Sequence, residues 1–169
     1  MTLTRFMEFI DIENNAIPGV IDGYGAYNEI AIPMPVSGNE NLAALIHQIE
    51  FYLGPIYPSH DEQVALEAAV TNISKSSMPT FGNSPGAILA QHGYLIDATK
   101  AGQGVVFVSY WGERVHRFDP PIMYARQYLY TGGRTYKDKS VGLLSVAHVR
   151  IGYTLEKVSK DAFIAALVG

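Results

Sequence analysis

From Leu143 to Glu156 the chain reads LLSVAHVRIGYTLE, and one alternation runs through nearly all of it. Leu143, Ser145, Ala147, Val149, Ile151, Tyr153 and Leu155 fall on one parity; His148, Arg150, Gly152, Thr154 and Glu156 fall on the other. Successive side chains leave a strand on opposite faces, so a period of two sends the first set into a core and the second toward water. A strand over Asn41–Leu53 is predicted in the same way, with Leu45, His47, Ile49, Phe51 and Leu53 on one face and Gln48, Glu50 and Tyr52 on the other. Ala87–Ile96, Gly104–Trp111 and Ile122–Tyr130 read as further strands, and the first one extends over Val141–Val158. Asp61–Ile73 carries two signals. Ser59 and Glu62 fit a helical capping box ahead of VALEAA, yet Val64, Leu66, Ala68 and Val70 alternate and β-branched residues follow; the expectation is a strand.

Between these segments the turns are written in Gly, Pro, Asn and Asp: Pro18-Gly19, Asp22-Gly23, Gly54-Pro55, the loop Ser74–Gly86, and the stretches Thr99–Gln103, Gly112–Pro121 and Thr131–Lys139. Gly102–Gly104 and Gly132-Gly133 read as hairpin turns. Arg5–Glu13 is an edge strand or an ordered arm. Asn28–Val36 (NEIAIPMPV) is extended, but Pro33 and Pro35 bar it from a central strand, since each removes a ladder donor. The terminal SKDAFIAALVG predicts a short helix capped by Ser159, with Phe163, Ile164 and Leu167 on one face. The fold class expected is all-β: a jelly-roll-like antiparallel β-sandwich with an extended N-terminal segment and a short C-terminal helix. Residues 1–40 are expected to be an arm or edge segment that contributes little core, and residues 41–169 the sandwich.

Composition narrows what such a sandwich does. Of 169 residues, 17% are charged against a usual figure of about 25%, which fits either a neighbouring subunit covering part of the surface or a compact sandwich faced with Ser, Thr, Asn and Tyr. The net charge is −4 with dispersed Lys and Arg, and the first thirteen residues hold one Arg and three acids. Neither a phosphate-backbone footprint nor a basic packaging arm nor a secretory signal is expected. No stretch approaches the roughly 18 apolar residues of a membrane span. With no cysteine, disulfides and thiolate chemistry drop out.

Catalytic signatures are absent: no G-x-S-x-G, no phosphate loop, no G-x-G-x-x-G opening a helix. Five histidines are the metal or acid–base candidates. His47 and Glu50 would leave a strand on opposite faces, His60, Asp61 and Glu62 form a loop cluster, and His92, His116 and His148 stand alone. No H-x-H pair exists. The expectation is therefore no catalytic residue, no metal and no cofactor. The eleven tyrosines carry more weight. Tyr124, Tyr128 and Tyr130 share one parity of the expected Ile122–Tyr130 strand with Arg126 between them, a mixture suited to subunit contacts. With Pro33 and Pro35 they are the candidate interface residues, though the same stripe could instead stack sugars or bases, or be a sandwich's plain outer face; the weak basicity argues against nucleic acid.

Three stretches, LIHQIEFYL (Leu45–Leu53), FDPPIMYARQYLY (Phe118–Tyr130) and VAHVRIGYTLEKV (Val146–Val158), together resemble small single jelly-roll virion proteins of viruses infecting microbes, over roughly residues 42–168. The resemblance implies a capsid or other shell subunit that self-assembles in the host cytoplasm with other virion proteins. It carries over no functional residue. A tail or neck ring component and a carbohydrate- or ligand-binding sandwich module are the alternatives.

Overall fold

The computed structural model describes residues 6–18, 23–56, 58, 61–79, 88–137 and 145–169. Its elements are β1 Glu8–Ile17, β2 Gly23–Tyr24, β3 Asn28–Pro33, β4 Leu42–Leu53, β5 Gln63–Thr71, β6 Ile88–Asp97, β7 Phe107–Gly112, β8 Val115–Tyr124, β9 Tyr128–Lys137, β10 Ser145–Lys157 and the helix α1 Lys160–Val168. The strands form two antiparallel sheets, one ordered β1-β10-β4-β8 and the other β2-β9-β5-β6-β7, with β3 also on β9. The chain is a jelly-roll-like antiparallel β-sandwich. Gly19, Asp22, Ser59, His60, residues 80–86 of the expected loop and Leu143 lie outside the described residues.

Inner faces meet in one core. Val149, Ile151 and Tyr153 of β10 enter it beside Ile49 and Phe51 of β4, and Val64, Leu66, Ala68 and Val70 of β5 face them from the other sheet. Asp61–Ile73 is thus a strand, not a helix. It lies in the middle of its sheet, and every residue from Val64 to Thr71 is buried. Small Ala65 and Ala69 on its far face let neighbouring side chains fold over it.

Four expectations need correction. In β4 the alternation slips at His47: β10 pairs Gly152 with Gln48 but Tyr153 with Ile46, so His47 is an extra residue. A bulge of this kind reverses the faces beyond it, and Ile46, not Leu45, enters the core. Second, Ile122–Tyr130 is not one strand. Residues 122–124 end β8, 125–127 turn, and 128–130 begin β9. Phe118–Pro121 are read as turn because of Pro120-Pro121, yet they bulge out of β8 between its two paired stretches, on a sheet edge where a missing donor costs nothing. Third, Gly132-Gly133 is no hairpin but the inside of β9. A Cβ on Gly132 would meet the Tyr27 ring at 2.2 Å and one on Gly133 would meet Ile17 Cδ1 at 2.7 Å, so both faces are occupied at close range.

The fourth concerns residues 1–40. β1 pairs with β10 from Glu8↔Tyr153 onward, and β3 pairs with β9 from Asn28↔Gly133 to Pro33↔Tyr128. Ile17, Ile32 and Met34 are buried in the core, and Asn14 and Asn28 exchange hydrogen bonds that tie β1 to β3. A segment expected to add little core is built into both sheets. At the other end, Ser159 accepts the Ala162 amide at 3.2 Å and caps α1 as expected. Of the expected helical face only Phe163 is buried; Ile164 and Leu167 are exposed.

Candidate functional site

Two places on the β2-β9-β5-β6-β7 sheet concentrate features that its folding alone does not require. The first is on the outer face. Register places Trp111, Gly93, Glu67 and Arg134 side by side across β7, β6, β5 and β9, with Ser109, Leu95, Ala65, Tyr136 and Tyr24 in the next row. Gly93 lets the indole of Trp111 lie over β6, since a Cβ there would stand 2.4 Å from Cε2 and Cζ2. On the opposite side Tyr24 and Tyr136 pack with centroids 5.1 Å apart. Arg134 bridges the two halves: its Nε donates to Glu67, and its guanidinium carbon sits 4.0 Å from the Tyr24 ring centre. Between these walls lies a cavity of about 390 Å³, floored by Ala65 and Glu67.

The second is the β7 edge. β7 pairs with β6 from Asp97↔Phe107 to His92↔Gly112 and, among the described residues, has no partner on its other side. Val105, Val106, Phe107, Val108 and Tyr110 are all exposed, Tyr110 by 70%. Val108 and Tyr110 overhang an open cleft of about 510 Å³ between the sheets, lined also by Tyr52, Leu53, Ile56, Tyr94 and Ile96. The cleft wall is rigid: Tyr94 donates its hydroxyl to the Gly54 carbonyl at 2.6 Å and accepts from the Ile56 amide at 2.9 Å. His92 stacks on Tyr110, and burial pushes its imidazole pKa down, which favours the neutral ring.

The residues singled out from sequence are dispersed. Tyr124 is buried, donates its hydroxyl to the Tyr128 carbonyl, and is pushed by burial to a pKa of about 12. Tyr128 is exposed opposite Pro33 at the start of β9, and Tyr130 lies further along between Ala31 and Thr71. Arg126, in the turn, donates to the carbonyls of Leu167, Asn72 and Val168, holding the end of α1 against the sandwich. Such a fork at a helix C-terminus satisfies carbonyls that the helix leaves open. Pro33 and Pro35 are exposed at an edge, as their missing donors require. No single stripe joins these residues, and Tyr124 and Arg126 are engaged within their own chain.

Histidine pairing also exceeds the expectation of isolated rings. His116 Nε2 lies 3.0 Å from the Gln91 carbonyl oxygen, and both His92 and His116 pack on Phe51. His148 and Arg150 converge on Asp11 of β1, and the Arg150 hydrogen bond, aided by His148, holds that carboxyl below its ordinary range. Among the described residues no three His, Asp or Glu side chains converge as metal ligands, and no helix is long and apolar enough to cross a membrane. Glu67, Arg134, Trp111, Tyr24 and Tyr136 were missed from sequence. Two signals were available: a lone charge, Glu67, among the apolar residues Val64–Val70 of β5, and the chain's single Trp.

No family model and no curated protein matches the chain. Among solved structures it is similar to a chain in the crystal structure of tomato aspermy virus, with a TM-score of 0.39 and 12% identity, over 88% of this chain and 77% of that one. A likeness this loose is confined to the general fold and carries no functional weight.

Proposed function

We propose that the chain is a structural subunit of a virion, a shell building block that self-associates through the β7 edge. The observation that supports this is the exposed apolar run Val105–Val108 with Tyr110, on a strand whose outer main-chain groups meet no partner among the described residues. Monomeric proteins blunt such edges with charge, proline or cover, because they template pairing with another chain. Two copies laid β7 against β7 about a two-fold axis would make one continuous sheet with self-complementary contacts. The same pairing would shelter Val108 and Tyr110 at the mouth of the inter-sheet cleft.

The low share of charge, 17%, fits a surface largely covered by neighbours. The strand-pattern resemblance to virion proteins points the same way. On this reading the subunit assembles in the host cytoplasm with other virion proteins, and its net charge of −4 leaves genome contact to another component. Sedimentation and electron microscopy of the purified protein are the test. Closed particles that fall apart on Val108→Asp support the proposal, whereas a ring of fixed size points to the tail or neck alternative. A chain that stays monomeric at all accessible concentrations, or an assembly indifferent to Val108→Asp, overturns it.

A further inference from the structure

We infer that the outer cavity of the β2-β9-β5-β6-β7 sheet binds a neutral sugar ring, held between Trp111 and the Tyr24–Tyr136 pair over the Glu67–Arg134 ion pair. Such a site does not depend on a role in a shell, and Gly93 is its key. A side chain there would collide with the indole at 2.4 Å, so the glycine seats Trp111 on the sheet as a platform bordering the cavity. Nothing in the core needs that arrangement, because residue 93 and Trp111 both project away from it. Tyr24 is 62% exposed, so its ring is also displayed and not merely stored. The volume, about 390 Å³, falls within the range of about 300–1,000 Å³ typical of small-molecule sites.

The chemistry of the floor selects the ligand. A purely apolar molecule would strip water from the Glu67–Arg134 pair and return no hydrogen bond, which is costly. A cation finds the aromatic cage already held by the Arg134 guanidinium, 4.0 Å from the Tyr24 ring centre. An anion such as phosphate meets an arginine neutralised by Glu67, on a chain of net charge −4. A pyranose avoids these conflicts. One C–H face rests on the Trp111 indole while its rim meets the Tyr24–Tyr136 wall without displacing Arg134. Its hydroxyls donate to the carboxylate and accept from the guanidinium as charge-assisted hydrogen bonds.

Trp111 is the chain's only tryptophan, so its fluorescence reports on this site, and sedimentation of the same samples separates ligand binding from association along β7. The full chain is titrated with four soluble probes: cellohexaose, maltohexaose, mannohexaose and chitohexaose. The expected result is a saturable spectral shift with at least one of them, half-complete below about 1 mM. Tyr24→Ala, at a mostly exposed position, should weaken that binding at least about tenfold with an unchanged melting temperature. Trp111→Phe, followed by calorimetry, should weaken it likewise. The proposal is overturned if no probe gives a saturable shift, if both variants bind as the parent does, or if inorganic phosphate produces the same shift as the sugars.

Discussion

β5 and β7 belong to the same sheet, with only β6 between them, and both carry apolar residues on both faces. Every residue of β5 from Val64 to Thr71 is buried, while β7 is exposed along nearly its whole length. Apart from Glu67, which Arg134 pairs, hydropathy is the same in kind; side-chain size differs. On its outer face β5 sets Ala65, Ala69 and Thr71 around Glu67, small enough for the chain's own Tyr27 and Trp111 to fold over the neighbouring glycines of β9 and β6. β7 has Phe107, Val108 and Tyr110, which project far and meet no further strand among the described residues. Small residues mark a strand that its own chain covers. Bulky ones at an edge mark a strand waiting for cover from outside.

The largest effect is expected from removing residues 1–40, which pair with β9 and β10 and cover both faces of β9 at Gly132-Gly133. Ile17 and Ile32 are fully buried, each contributing about 1.5–3 kcal/mol by burial alone, and two sheet edges go with them. Loss of a cooperative melting transition is the expected outcome. A truncated chain that still melts sharply would mean that β1 and β3 belong on a neighbour's sheets, as an exchanged arm.

Next comes a matched pair. Leu66→Asp in β5 buries an unpaired carboxylate and should cost more than about 4 kcal/mol in denaturant unfolding. Val108→Asp in β7 is half in water and should cost the monomer no more than about 1 kcal/mol, with its main effect on assembly. Equal costs at the two positions would erase the distinction between the strands.

Trp111 belongs to both regions, being on β7 yet folded toward β5. Phenylalanine there keeps an aromatic ring but leaves part of the space over Gly93 empty, so Trp111→Phe should cost about 1 kcal/mol in thermal unfolding. A neutral substitution would show that the indole is displayed for a ligand without helping to close the sheet's outer face.

What was legible in the chain follows from the same physics. β10 could be read because its faces differ in polarity from Ala147 to Glu156 and no bulge interrupts its own alternation. β5 could be read despite helix-forming residues because Val64, Leu66, Ala68 and Val70 keep a period of two. The β8–β9 region defeated pattern reading: Pro120-Pro121 mark turns elsewhere but are tolerated in the unpaired stretch of an edge strand, and Gly132-Gly133 make room for Tyr27 and Ile17 inside a strand. His47 gave no warning of its bulge. The outer cavity was illegible because its walls come from five strands, and only register brings Tyr24, Tyr136 and Trp111 to one face.

The smallest effect expected is at the opposite kind of edge. β1 closes the other sheet and, unlike β7, presents Glu8, Asp11 and Glu13, the kind of charge that discourages further pairing. Asp11 also ties β1 to β10 by accepting from Arg150 at 2.8 Å and from His148 at 3.0 Å. Its carboxyl is depressed below the ordinary 3.8, chiefly by the Arg150 hydrogen bond. A group depressed in the folded state contributes stability above its unfolded pKa and loses it as pH falls through the folded value. The tie is therefore intact at neutral pH and fades only below about pH 4. Asp11 is well exposed, so the contribution should stay under about 1 kcal/mol and shrink in high salt. Asp11→Asn should exchange its β1 amide hydrogens faster than the parent at pH 6, with the difference shrinking as pH falls below about 4 and the parent's carboxylate takes up its proton. A difference that does not shrink with falling pH would assign the effect to packing. If the variant also associates along β1, charge on that edge has been holding off the kind of pairing that β7 invites.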